Sequence, residues 1–377
     1  MVGKLKAYIL IIFPFWILIQ NGTDIFNKEL IKIQHTVHVK HPGEKNPVEI
    51  ILNEIQDEKG LSTKYYANVE SVICYKEVCK VVSVRIYWNN IGEYQKYELG
   101  EGVTLEKYEA ELFDAQDYKK LHTVIADKKS PYKDLFVDDI LSVVNTEGNG
   151  DLDAVSGATA VKLDDKDTVP GAALTCFTLW HWANGNIIPI IKKITGKSAS
   201  NKQLTHFLKD ENKAYYFIAI DELINRNNYT STLVDIIINE AIQNEHLIKP
   251  SISYLESSPP NIYFPSVKTI FGGANEDQKL ASIKSLQNIK HEIPKGYLDD
   301  LSNEINNLKS FQETTRFIDL LETKTSASNI VIENLLPLLD GDFLKARRVY
   351  WYLSNEKLSV EQKNRVDSFF EKHKNQL

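Results

Sequence analysis

The stretch with the clearest chemical potential reads "DAVSGAT", in which Asp153 and Ser156 precede Gly157, Ala158 and Thr159. Glycine and alanine carry the least side-chain bulk, so another molecule can approach the backbone and the hydroxyl groups closely here. A threonine hydroxyl is a weak nucleophile that needs a base and an activated partner to form a covalent bond. The stretch is therefore either a plain turn or a segment in which Thr159 is reached by another protein.

These residues resemble the flavinylation motif Asp-x-x-Ser/Thr-Gly-Ala-Thr of the FMN-binding domain family. The family includes subunits C and G of the sodium-pumping NADH:quinone reductase and its ferredoxin-linked relative. In that family a flavin transferase joins FMN through its phosphate to the last threonine. The resemblance implies covalent FMN on Thr159, with Asp153, Ser156, Gly157 and Ala158 as the other matching positions.

A helix is predicted beyond the motif, in "PGAALTCFTLWHWANG". We expect Pro170 near its first position and an Asn-Gly pair at its end. Gly171 would let the backbone approach a ligand, and Thr175 and Thr178 could donate hydrogen bonds to phosphate or ring. Trp180 could stack on a flavin, although a tryptophan on an apolar helix also serves as core. We include all four residues among the candidate flavin contacts.

The resemblance extends over about residues 60 to 190. A strand pair is predicted around the turn at residues 90–92, and a helix in "LFDAQDYKKLHTVI". Members of the family carry a similar tryptophan-containing strand, an Asp-Tyr-x-x-Leu helix and a Gly-Ala helix ending in Leu-Trp. This chain departs from the respiratory members because it continues far beyond residue 190.

The N-terminus is typical of an exported protein. Lys4 and Lys6 precede the apolar run Ala7 to Ile19, which has the layout of a secretory signal. As a helix this run would span about 20 Å, less than the hydrocarbon core of a bilayer. No Ala-x-Ala cleavage site follows it. Residues 1–25 are therefore interpreted as a signal peptide or a short membrane anchor, with the protein in the periplasm or facing the extracytoplasmic side.

Export makes the cysteines informative. Cys74 and Cys79 flank "YKEV" between two strand-like runs, so we expect a hairpin with a disulfide between them. A redox-active pair is the alternative, although the spacing is not Cys-x-x-Cys. Cys176 lies in an apolar segment and is expected to be a buried thiol.

Other chemistries are excluded by pattern. The sequence has no Cys-x-x-Cys-His, His-Glu-x-x-His or Gly-x-Ser-x-Gly motif and no phosphate-binding glycine loop. His35, His38 and His41 could approach a metal, but they lack neighbouring carboxylates at helical spacing, and a flexible lead-in to the first strand is favoured. The net charge of -7, with lysines scattered among acids, argues against a nucleic-acid partner.

The chain changes character after residue 200. Apolar residues recur there at helical spacing, separated by short polar breaks, which predicts stacked antiparallel helices, with a degenerate HEAT-like array as one form. The positions are Tyr216, Ile220 and Leu223; Leu233, Ile237 and Ala241; Phe317, Leu320 and Leu321; and Val349, Tyr352 and Leu353. The segment 249–273 carries four prolines and is expected to form a long loop.

These observations predict an α+β FMN-binding domain with an antiparallel sheet at residues 30–198, followed by an all-α domain at residues 200–377. The predicted function is electron transfer between envelope redox partners by a covalent flavin, with a flavin transferase required for maturation. No catalytic residue and no metal site are assigned. The alternatives are a flavin-dependent reductase of a small substrate, and a helical envelope scaffold whose FMN domain is unoccupied.

Overall fold

The N-terminal part of the protein is a five-stranded antiparallel sheet. A computed structural model describes residues 31–72, 81–107, 110–140, 163–164, 166–324 and 327–377. The strands are β1 Ile31–Val39, β2 Val48–Gln56, β3 Ser62–Glu70, β4 Ser83–Asn89 and β5 Tyr94–Leu99. They lie in chain order, so β1 and β5 form the two edges of the sheet. The predicted strand pair around residues 90–92 is confirmed as the β4–β5 hairpin.

One face of this sheet is covered by helices. Val84, Ile86 and Trp88 alternate along β4 and are fully buried, whereas Arg85 between them is exposed. This alternation is what an antiparallel sheet with one solvated face requires. The Trp88 indole donates a hydrogen bond to the carbonyl oxygen of Ala183 at 2.8 Å, which fixes the covering helix over the sheet.

From the second helix onward, the helices follow one another with short connections. In chain order they are α1 Ala115–Ala126, α2 Ala173–Asn184, α3 Ile187–Ser198, α4 Asn201–Leu208, α5 Ala214–Asn225, α6 Ser231–Gln243, α7 Ile248–Glu256, α8 Pro260–Gly273, α9 Glu276–Asn288, α10 Tyr297–Ser302, α11 Phe311–Lys324, α12 Asn329–Leu335, α13 Phe343–Leu353 and α14 Val360–His373. The two predicted helices of the N-terminal part are thereby confirmed as α1 and α2.

From α3 onward the helices form two layers. Alternate helices pack side by side, with α3, α5, α7, α9, α11 and α13 in one layer. In the other layer α4 packs on α6, α6 on α8, and α10 on α12. All the apolar positions predicted to line the helical core are buried. The C-terminal part is therefore helical and layered, as the apolar period indicates.

The prediction of a long loop at residues 249–273 is wrong, because this segment forms α7 and α8. Pro250 lies in the first turn of α7 and Pro260 is the first residue of α8. The N–H groups of a first turn have no acceptor within the helix, so proline is tolerated there. Only Pro265 lies inside α8. The prolines mark where helices begin rather than a break in helical structure.

Helix α3 contacts both parts of the chain. Its Thr195 hydroxyl lies 3.0 Å from the Tyr65 hydroxyl of β3 and donates to the Asn90 carbonyl oxygen at 2.7 Å. The side chain of Asn90 accepts a hydrogen bond from Tyr215 of α5. Ile91, at the tip of the β4–β5 hairpin, packs into the hydrophobic core of the helical part. The predicted boundary at residues 198–200 thus follows a helix that both parts share.

No helix within the described ranges is long and apolar enough to cross a membrane. The N-terminal segment at residues 1–25 lies outside those ranges.

Candidate functional site

The motif residues Asp153, Ser156, Gly157, Ala158 and Thr159 lie outside the described residues. The flanking residues belong to the sheet-and-helix core. Ile140 is fully buried in that core, and Leu163 packs against it partly buried. The described residues nearest the motif on either side therefore both pack in this core.

A tight turn at residues 169–172 precedes helix α2. The amide of Ala172 donates to the carbonyl oxygen of Val169 at 2.9 Å, and Gly171 has a φ of 73°. Proline at the second position and glycine with positive φ at the third are the residues that a type II turn requires. The predicted place of Pro170 near the first helical position is wrong, because α2 begins at Ala173 and Pro170 belongs to the turn before it.

The candidate contacts on α2 lie in the core. Thr175 is 7% and Trp180 is 4% exposed. The Thr178 hydroxyl donates to the carbonyl oxygen of Leu174 at 2.8 Å, and the Trp180 indole donates to that of Asp127 at 2.9 Å. These side chains are thus used for packing α2 in place.

Cys176 anchors the same turn. Its sulfur accepts a hydrogen bond from the amide of Val169 at 3.4 Å, and the thiol is completely buried, as predicted. Burial raises the pKa of this thiol, so it stays protonated. Tyr132 completes the anchor by donating to the hydroxyl of Thr168 at 2.7 Å. Cys74 and Cys79 lie outside the described residues, between the paired strands β3 and β4.

The expectation of a flexible histidine-bearing lead-in is wrong. His35 and His38 belong to β1, and His41 follows it and is 1% exposed. The Gly43 amide donates to Nδ1 of His41, so Nε2 carries the proton and donates to the Thr178 carbonyl oxygen at 3.1 Å. No group of three or more metal-ligating side chains occurs among the residues that the structure describes. Val37 and Val39, which lie between these histidines, pack in the hydrophobic core, and this alternation makes the segment a strand.

The buried imidazole of His41 and the half-buried imidazole of His181 contact each other on the covered side of the sheet. The ring centroids of His41 and His181 are 5.8 Å apart, with Trp182 beside His41 at 4.9 Å. Burial lowers the pKa of His41 to about 4. Burial and the neighbouring His41 lower the pKa of His181 to about 4 as well. Both rings are therefore neutral near pH 7, and spacing in the sequence gave no signal of their meeting.

A groove opens between the edge strand β5, the loop after it, and α1. Its volume is about 840 Å³. Its lining comprises Tyr97, Glu98, Leu99, Val103, Thr104, Tyr118, Lys119, His122 and Thr123. The Tyr97 hydroxyl donates to the Tyr118 carbonyl oxygen at 3.0 Å, and the Tyr118 hydroxyl accepts from the Leu105 amide at 3.1 Å. Two tyrosines thus form a fixed wall, which the sequence pattern of separate elements did not predict.

The groove and the anchored turn share one hydrophobic core. Tyr97 and Tyr118 of the groove pack against the cluster that contains Val169, Ala172 and Cys176. Burial raises the pKa of Tyr97, so its hydroxyl stays protonated near pH 7. The turn that follows the motif and the tyrosine wall of the groove are thus held by the same core.

Comparison with known proteins gives no relative for the chain: no protein-family model, no curated protein and no solved structure matches it.

Proposed function

We propose that this protein is an exported flavoprotein that carries FMN in phosphoester linkage to Thr159 and passes electrons between redox partners of the cell envelope. The observation that carries the proposal is the run of Asp153, Ser156, Gly157, Ala158 and Thr159. A flavin transferase would attach the FMN. When bound, FMN supplies a ring that accepts and donates one or two electrons.

The fold is compatible with this role. The motif segment starts and ends on a core built from an antiparallel sheet and helices, with Ile140 on one side and the Val169–Ala172 turn on the other. Such anchoring holds a tethered cofactor to one place on the protein while leaving the ring accessible. Electron transfer needs only close approach of the ring edge, so the contact with a partner can be small.

The helical part is proposed to dock the partner as a HEAT-like array. Its last two helices leave large apolar side chains in solvent: Leu344 is 46%, Trp351 44% and Phe370 40% exposed. The Arg347 guanidinium lies 4.9 Å above the Trp351 ring. An exposed apolar surface with a tryptophan and an arginine matches the residue types that dominate binding energy at interfaces.

The experiment measures how fast membranes from the native host reduce the flavin-bearing protein. Trp351→Ala should slow this reduction, whereas chemical reduction by dithionite should be unchanged. Phe217→Ala is the matched control, because Phe217 is 43% exposed on α5 in the same helical part. Equal rates for Trp351→Ala and wild type would contradict the docking role. Oxidation of NADH by the purified protein alone would favour the reductase alternative over the carrier.

A further inference from the structure

The groove between β5 and α1 has the dimensions and lining of a small-molecule site. Its volume of about 840 Å³ lies within the range of roughly 300–1,000 Å³ that is usual for such sites. Leu99, Val103 and the two tyrosines supply apolar and aromatic surface, and Thr104 and Thr123 supply hydroxyl groups. A flat aromatic ligand with polar atoms on one edge suits this combination.

The polar edge of such a ligand would meet a strand edge. β5 is the last strand of the sheet, and no further strand pairs with its outer side in the described part of the chain. An edge strand presents N–H and C=O groups in alternation. The pyrimidine end of an isoalloxazine ring carries an N–H between two carbonyl groups, and this sequence of donors and acceptors can pair with such an edge.

The charges at the rim favour the same ligand. Lys119 and His122 lie on the α1 side of the groove and are exposed. The His122 ring is held by a hydrogen bond between its Nδ1 and the hydroxyl of Tyr94 at 2.9 Å. A flavin becomes more negative at the pyrimidine end when it is reduced, and positive charge near that end tunes its electronics. Lys119 supplies such a positive charge, and Glu98, the acidic residue of the lining, is paired with Lys96 and accepts a hydrogen bond from the Tyr87 hydroxyl.

The groove and Leu163, which follows Thr159 by four residues, pack on one hydrophobic core. Thr159 precedes Leu163 by four peptide units, which span at most about 14 Å. Leu163, Tyr97, Leu99 and Tyr118 all pack partly buried against the same hydrophobic core. A flavin attached at Thr159 has the length of its phosphate and ribityl chain in addition to this span.

From these observations we infer that the groove between β5 and α1 is the seat of the isoalloxazine ring. The inference rests on the proposed function for the identity of the ligand. Tyr97 and Tyr118 form its wall, the outer edge of β5 pairs with the pyrimidine end, and Lys119 faces the charge that develops there on reduction.

The test fills the groove with a bulky side chain and leaves the tether intact. Thr123→Trp places an indole at the lining of the groove, on the exposed side of α1. Thr205→Trp is the control, because Thr205 is a half-buried helical threonine outside the groove whose hydroxyl donates to the carbonyl oxygen four residues earlier, as that of Thr123 does. Both variants are produced together with the flavin transferase, and attachment is measured by mass.

We expect a visible circular dichroism signal from the attached flavin in wild type and in Thr205→Trp, and loss of that signal in Thr123→Trp at unchanged mass. A retained signal in Thr123→Trp would overturn the inference and leave the proposed function standing. A second arm titrates free riboflavin into Thr159→Ala and follows its fluorescence. Riboflavin should bind there, and its affinity should fall by about tenfold or more when Thr123→Trp is added.

The two arms separate the two claims. Protein that carries no flavin but binds riboflavin in a Thr123-dependent way would refute the tether and support the groove. Absence of riboflavin binding to Thr159→Ala, or binding that Thr123→Trp does not weaken, would overturn the groove as the ring site.

Discussion

At the scale of single residues, the environment decides the charge of side chains whose types alone leave it open. His41 is enclosed by Phe177, His181 and Trp182, and both of its ring nitrogens are used in hydrogen bonds. Glu54, which is 1% exposed, shares its oxygens among His35, Gln56 and Ser62. Burial keeps the His41 ring neutral. The buried Glu54 carboxyl lies within hydrogen-bond distance of all three of these neighbouring side chains.

The stability of the protein should fall in mild acid because of His41. Its pKa is about 4 in the folded protein and near 6.5 in an unfolded chain. Between these values the unfolded state binds more protons, so stability is full above pH 6.5 and is lost as the pH falls towards 4. The difference corresponds to at most about 3 kcal/mol. His181 contributes with the same sign, so His41→Gln should weaken this dependence but not abolish it in denaturant titrations from pH 7 to 4; an unchanged slope would show that His41 does not titrate in this way.

The His35–Glu54 contact predicts a second difference, between two histidines of the same strand. Nε2 of His35 lies 2.6 Å from the buried Glu54 carboxylate, whereas His38 lies 3.4 Å from Glu49 with both side chains more than 60% exposed. His35→Ala leaves a buried acceptor without its donor and should cost about 1.5–3 kcal/mol of unfolding free energy. His38→Ala should change it little, because exposed pairs are screened. Equal effects in urea titrations would refute the distinction.

The residue scale also shows the limit of inference from spacing. The spacing of His35, His38 and His41 along the chain predicts a flexible lead-in. In the structure, the His35 side chain contacts Glu54 of β2, and His41 is buried against α2. These partners are distant in sequence. Only the register of β1 on β2 and the packing of α2 bring them together, and neither can be derived from a local pattern.

At the scale of elements, local chemistry was the better guide. The alternation along β4, the turn at residues 90–92 and the helices α1 and α2 were predictable because each depends on neighbours in sequence. The prediction of a loop around Pro250 and Pro260 is wrong because it assumes that proline ends a helix at any position. Its effect depends on whether its position needs an N–H donor.

The β4–β5 hairpin offers a test of how an element is fitted to its neighbour. Gly92 has a φ of 82°, and a Cβ added there would lie 2.8 Å from Cγ2 of Ile188 on α3. Gly102 has a similar φ of 72° but no atom within 4 Å of an added Cβ. The positive φ alone should cost about 1–2 kcal/mol in either alanine variant. Gly92→Ala should cost about 1–3 kcal/mol more, because Ile188 must also move.

Thermal and urea unfolding of the two glycine variants measure this difference directly. Gly102→Ala serves as the control for backbone strain without crowding. If both variants lost the same stability, the packing of the hairpin against α3 would not be as tight as the structure has it.

At the scale of the whole molecule, the sheet and the helical array share α3 and the hairpin tip. The helical period was sufficient to predict a stack of helices after residue 200, and the burial of those positions confirms it. The contacts between the sheet and the helical array could not be predicted, because Ile91 and Thr195 look like ordinary hairpin and helix residues in sequence. The proposed carrier role uses this continuity, since the array orients a partner relative to a flavin held on the sheet side.

The central claim is that Thr159 carries FMN, and intact-mass measurement tests it most directly. Protein purified after co-expression with the flavin transferase should be heavier than the unmodified chain by FMN less one water, with the added mass mapped to the peptide that contains Thr159. Thr159→Ala should lack the increment while keeping the circular dichroism and thermal unfolding of wild type. An unmodified wild-type chain under these conditions, or an increment that persists in Thr159→Ala, would contradict the account.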